Sequence, residues 1–163
     1  MKNLNEALEA VNATYKELVD VADRIIKPIT NDIDTIIKAT VDNVERLTNE
    51  DIRQTLLNIS LRAYSLGEIK EKSALKLTCA ETLRDEVYAR KFNETEGTVA
   101  IRQNIAQIES SYETLSQAIY NEAYSMLKTK LDECHRVVDS LKSVLMSRMQ
   151  EAKLSNINAS MED

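Results

Sequence analysis

Glycine, proline and aromatic side chains are nearly missing from this sequence of 163 residues. It has two glycines, one proline, one phenylalanine, no tryptophan and one histidine. β-Sandwiches and barrels need a turn every ten residues or so, and those turns draw on Gly, Pro and Asn-Gly pairs. With Gly67 and Gly97 thirty residues apart, no glycine-rich phosphate loop is possible, so a doubly wound nucleotide-binding fold is excluded. No apolar run approaches the eighteen or so residues of a membrane span. The first residues, MKNLNEALEAVNATYKEL, contain no uninterrupted apolar stretch, so a secretory signal is not expected. Cys79 and Cys134 lie in helical pattern and read as small core residues, not as a disulfide framework. These features lead to the expectation of a cytoplasmic protein.

What remains is helical periodicity. Leu4, Leu8, Val11, Tyr15, Leu18, Ala22 and Ile25 step 4-3-4-3-4-3, a heptad seam over a first segment of about residues 4–26. Pro28 is expected to end or kink that helix, and Asn31 to cap a second one striped by Ile33, Ile36, Ile37, Val41, Val44 and Leu47. Thr48 caps the next start, with Glu50 and Asp51 in its first turn. From Ile52 to Leu66 more than half the helix circumference is apolar, which predicts burial on several sides or an oligomer interface. Gly67 is either a C-cap or an interruption costing about 1 kcal/mol within a continuing helix. The pattern then runs to Phe92. The segment NETEGT marks a turn, with Gly97 suited to a left-handed cap and Thr98 to an N-cap.

Beyond that turn, residues 99–153 contain neither Gly nor Pro, enough for one helix of roughly 80 Å. Ile105, Ile108, Tyr112, Leu115 and Ile119 form one seam, and Leu127, Leu131, Cys134, Val138, Leu141 and Leu145 another. Between them the apolar steps are all of four residues, a stutter. Either the helix breaks near Asn121 or its partners change there. The expected fold is all-α: an elongated helical bundle whose long C-terminal helix forms an antiparallel hairpin, with coiled-coil-like packing. Residues 1–66 would form an acidic packing or oligomerisation region, 67–154 the long hairpin and 155–163 a disordered tail.

Catalytic chemistry finds little purchase. His135 sits beside Cys134, and neighbours on a helix point about 100° apart, so the two cannot chelate one ion. There is no Cys-x-x-Cys, no Glu-x-x-His and no base near a nucleophile. Carboxylate pairs such as Glu109 and Glu113 are what any solvated helix face carries. No enzyme, no metal and no cofactor are expected. The net charge of −6 argues against duplex DNA. The first fifty residues carry ten acids against six bases and suit a helical protein partner.

Cations hold their own in two stretches, Lys70 to Lys91 and Lys128 to Lys153. Tyr88 and Phe92 set rings beside Arg84, Arg90, Lys91 and, across the turn, Arg102. Rings beside cations, together with Lys128 and Lys130, are the elements of a single-strand nucleic-acid surface. The plainer reading has Tyr88 and Phe92 packing the hairpin end, with Arg102 paired to Glu94 or Glu96.

Leu83, Tyr88, Ala89, Arg90, the Glu96-Gly97-Thr98-Val99 turn, Arg102 and the Leu141, Leu145, Arg148 run give the stretch 73–154 a resemblance. It resembles small helical early-gene phage proteins and, in organisation, is similar to UvsY-type recombination mediators of large phages. That resemblance implies an oligomeric accessory of DNA replication or recombination, acting in the host cytoplasm, that binds single-stranded DNA, its binding proteins or a recombinase. The alternative is a helical interaction module that inhibits a host or defence protein through its acidic N-terminal helices. A homo-oligomer is expected on either reading, because the apolar seams exceed what one thin bundle can bury.

Overall fold

The structure, a computed structural model, describes the backbone of residues 4–159 and the side chains of Ala13 and of residues 16–155. Four helices account for nearly all of it: α1 (Leu4–Asn43), α2 (Asn49–Glu94), α3 (Val99–Glu109) and α4 (Ser111–Ala159). No strand occurs among the described residues. The all-α class and the packed hairpin are as the sequence predicts, while several helix boundaries differ.

The first difference is at Pro28, which lies inside α1 and neither ends it nor opens a second helix at Asn31. The reason is phase. Ala22, Ile26, Thr30, Ile33, Ile37 and Thr40 are all buried, in steps of three and four that pass through the proline without a slip. Pro28 itself faces solvent, where its ring has room and water can serve the Arg24 carbonyl left without a donor. An ion pair from Lys27 to Asp23, 2.5 Å, spans the same turn. The side chains of the expected Leu4, Leu8, Val11 and Tyr15 seam lie outside the described residues.

The turn after α1 is held from both sides. Thr48 Oγ1 accepts from the Asp51 backbone N–H at 3.1 Å, and the Asp51 carboxylate accepts from the Thr48 N–H at 2.9 Å and from its hydroxyl at 2.6 Å. This reciprocal cap starts α2, and the bonds from Thr48 hold the Asp51 carboxyl below its ordinary range. The guanidinium of Arg148, on α4, ties down the turn that follows α1: it donates to Leu47 O at 2.6 Å, Val44 O at 3.1 Å and Glu45 O at 3.4 Å. A cation there satisfies turn carbonyls that no helix bond serves.

Gly67 is an interruption within α2, not its cap. The buried side chains of α2 include Ile52, Ile59, Leu66, Ser73, Ala80 and Val87, each seven residues from the next. The turn to α3 is where the sequence places it. Gly97 has φ 121°, and Thr98, extended at φ −66° and ψ 158°, accepts from Ile101 N–H as N-cap.

The chain from Val99 onward is interrupted, though at Ser110 and not near Asn121. Ser110 is buried and has φ −98°, ψ 12°. Its own backbone is bonded to both helices, Ser110 N–H to Ala106 O and Thr114 N–H to Ser110 O, both 3.0 Å. Serine pairs such as Ser110-Ser111 compete for backbone bonds and weaken a helix locally; Asn121 is passed without a break because Ala123 and Leu127 are fully buried just beyond it. At the other end, α4 reaches Ala159, so residues 155–159 are helical where a disordered tail was expected. The rest of that tail, 160–163, lies outside the described residues.

The helices divide into two compact units. Unit 1 comprises residues 1–29 and 68–128, unit 2 residues 30–67 and 129–163. In unit 1, α2 and the following chain run antiparallel: Lys91 meets Glu109 at 3.7 Å, and Arg84 Nη1 donates to Gln117 at 2.7 Å. In unit 2, Arg62 lies 3.6 Å from Asp32, and Lys130 bonds Asp34 at 2.5 Å.

The two glycines have opposite roles, and their substitution should show it. At Gly97 an added Cβ meets Ile101 at an ordinary 3.5 Å, but the positive φ disfavours any L side chain, so Gly97→Val should cost about 1–2 kcal/mol. At Gly67 a Cβ meets nothing within 4 Å, so Gly67→Ala should stabilise by about 0.5–1 kcal/mol. Thermal melts should move in opposite directions, by a few degrees each; melts that move together would contradict the assignment of the turn.

Candidate functional site

The cations picked out by sequence are mostly engaged with the protein's own atoms. Arg84 donates through Nε and Nη2 to Asp85 Oδ1 at 3.0 and 2.6 Å, and through Nη1 to Gln117. Gln117 in turn donates to Glu81 at 3.3 Å. Lys91 lies 3.8 Å from Glu94 and 3.7 Å from Glu109. Tyr88 and Phe92 are half-buried and stack, with ring centroids 6.4 Å apart and planes 14° apart. Arg102 pairs with neither Glu94 nor Glu96. Its Nε donates to Phe92 O at 2.8 Å, and its guanidinium lies 4.1 Å from the Phe92 ring centroid. A charge-assisted bond to a helix-end carbonyl and a cation–π contact therefore join the same residue, Phe92, to the same cation.

Lys130, in unit 2, bridges Asp34 and Glu133. Partial burial pulls its ammonium down, but the bonds to the two carboxylates outweigh this and its pKa is raised. Of the eight residues, Arg90 and Lys128 alone are exposed cations with no ion pair among the described residues. The structure thus brings Tyr88, Phe92 and Arg102 together as a packed hairpin tip, gives Arg84, Lys91 and Lys130 separate carboxylate or amide partners, and leaves Arg90 and Lys128 exposed.

Chemistry elsewhere is sparse. His135 is exposed and Cys134 fully buried. Burial pushes the Cys134 thiol up, which keeps it protonated and inert. Cys79, expected in the core, is exposed: it falls beside Leu75 and Leu83 on the outer face of α2, one residue out of phase with buried Ala80. Among the described residues no group of three or more His, Cys, Asp or Glu is placed to hold a metal ion, and no helix is long and apolar enough to cross a membrane.

The apolar surface expected from the sequence is present, and what sequence reasoning missed is where it lies. In unit 1 Ile26, Val87 and Leu127 are buried together with small residues, Ala22, Ser73, Ala80, Ala106, Ser110 and Ala123, while Leu75, Leu83, Ile101, Ile105, Ile108, Tyr112 and Leu115 are exposed. So many large apolar side chains in water beside a core built partly of small ones make an exposed apolar patch. The predicted seam Ile105–Ile108–Tyr112–Leu115–Ile119 is therefore an outer stripe, half-buried only at Ile119. A groove of about 420 Å³ in this unit is lined by Leu75, Cys79, Ala80, Leu83 and Tyr120, with Glu113 beside them. Glu113 Oε2 is shielded from solvent there and makes no hydrogen bond. In unit 2 the core is of ordinary kind, with Ile33, Ile37, Ile52, Ile59, Leu66 and Leu141 buried. Leu57, Leu61 and Tyr64 are nevertheless exposed there, so the apolar 52–66 stretch is not buried all round. Valines 41, 44, 137 and 144 with Leu141 line a groove of about 670 Å³ between α1 and α4.

Comparison with protein-family models, with curated proteins and with solved structures finds no match to this chain.

The contrast between the two arginines is directly measurable. Arg102→Ala removes a charge-assisted bond and a ring contact and should cost about 1–3 kcal/mol, whereas exposed Arg90→Ala should stay within about 0.5 kcal/mol of the parent. Chemical denaturation that finds the two variants equally stable would refute a structural role for Arg102.

Proposed function

We propose that this protein acts without catalysis, in the cytoplasm, as a helical module that binds another protein chain. The observation that supports this reading is the outward placement of large apolar side chains in unit 1, from Ile101 to Leu115 and at Leu75 and Leu83. A contiguous apolar stripe is costly in water unless a partner covers it. The acidic balance, −6 overall, also suits a protein partner better than a polyphosphate.

A second reading remains attached to Arg90 and Lys128: an accessory of phage recombination, similar to UvsY-type mediators, that holds single-stranded DNA or its binding proteins. Two free cations carry this reading, since the other candidate cations are already paired.

A fluorescent single-stranded oligonucleotide separates the two. The protein-binding reading expects no anisotropy change at about 50 mM salt, where non-specific phosphate binding is strong. Binding that fades steeply with salt, and is lost on replacing Arg90 and Lys128 by Ala, would establish the nucleic-acid reading instead.

A further inference from the structure

The stripe on α3 and the start of α4 has the pattern of one half of a helix pair. Ile101, Ile105, Ile108, Tyr112 and Leu115 are spaced 4-3-4-3 and are 48, 39, 69, 76 and 42% exposed. Ser110 is bonded to both helices, its N–H to Ala106 O in α3 and its carbonyl to Thr114 N–H in α4, and the exposed stripe continues on both sides of it. Around it charge is scarce. Between Gln103 and Asn121 the only carboxylates are Glu109 and Glu113, and there is no Lys or Arg, in a chain that is 29% charged. Gln103, Asn104, Gln107, Ser111 and Thr114 are exposed and neutral. Depletion of charge around aliphatic residues and tyrosine is what distinguishes the centre of a protein interface from ordinary surface.

We infer that this face pairs antiparallel with the same face of a second copy of the chain. The inference rests on the protein-binding reading and names its partner. Charge selects the occupant and the direction. An antiparallel pair whose two-fold axis passes between Ala106 and Gln107 sets Ile105 against the partner's Ile108 and Ile101 against the partner's Tyr112. The same register brings Arg102 opposite the partner's Glu109, twice by symmetry.

Both groups have capacity for this contact. Arg102 uses Nε on Phe92 O, and its terminal nitrogens make no hydrogen bond among the described residues. The Glu109 side chain is 52% exposed and meets Lys91 through Oε2 at 3.7 Å. A parallel pair would set Glu109 beside neutral Asn104 and gain no opposite charge. Two copies each carrying −6 repel overall, so an interface without like charges, closed by two Arg–Glu pairs, is where they can approach.

Sedimentation of the full chain across the micromolar range tests this. The wild type should shift with concentration from 18.5 kDa toward twice that mass. Ile108→Glu, a change at an exposed position, should keep the helical circular dichroism and weaken self-association by about tenfold or more, because a carboxylate would be buried against Ile105. Orientation is read by cross-linking in a Cys79→Ser background. Chains carrying Ile105→Cys mixed with chains carrying Ile108→Cys should oxidise to a disulfide-linked dimer, and neither variant alone should do so efficiently.

A wild type that stays at 18.5 kDa overturns the second copy as occupant. The protein-binding reading is judged separately, by whether a lysate partner is captured by wild type and lost with Ile108→Glu. Equal self-association of wild type and Ile108→Glu overturns this face as the interface. Efficient cross-linking of either single variant with itself overturns the antiparallel direction.

Discussion

A seven-residue spacing of buried positions along α2 constrains everything packed against it. Ile52, Ile59, Leu66, Ser73, Ala80 and Val87 keep one seam toward their neighbours through five consecutive repeats. The seam is indifferent to side-chain size. In unit 2 it falls on isoleucine and leucine, and burial there resembles an ordinary core. In unit 1 it falls on serine, alanine and valine, and Leu75 and Leu83 of the same helix are exposed.

The ends of the helices impose a second requirement, and it consumes cations. Long helices leave few termini, yet each C-terminus presents carbonyls without partners. Arg148 takes the carbonyls of the turn that follows α1, and Arg102 takes the Phe92 carbonyl near the end of α2. Lys91, Arg84 and Lys130 are held by carboxylates or an amide in the same economical way. The basic stretches of the sequence are thus largely structural, which moves the balance of functional argument from charge to apolar surface.

How much of this is legible in the sequence depends on whether phase or size carries the signal. The turn at Gly97-Thr98, the Thr48 cap and the seam Leu127, Cys134, Val138, Leu141 follow directly from residue type and spacing. Pro28 misleads because a local rule about backbone donors is outweighed by an apolar phase that continues through it. Leu75, Cys79 and Leu83 read as core by character, while Ser73 and Ala80 do the burying by position. Arg102 reads as a partner for Glu94 or Glu96, since a backbone carbonyl freed at a helix end leaves no mark in the sequence. Ser110 is likewise silent: serine is tolerated in helix interiors, and nothing local distinguishes this one. The outward seam Ile105–Ile108–Tyr112–Leu115 is plain in the sequence as a seam; which side it faces is settled only by what α2 buries.

The central claim is that the face from Ile101 to Leu115 is an interface left open in the single chain. Backbone hydrogen exchange, followed residue by residue at low and at high protein concentration, addresses it most directly. The account predicts that protection of amides across α3 and the first turns of α4 rises with concentration, while amides around Ile52 and Ile59 are unaffected. Exchange at α3 that is independent of concentration, or a rise in protection confined to the Leu57–Tyr64 stretch, would contradict it.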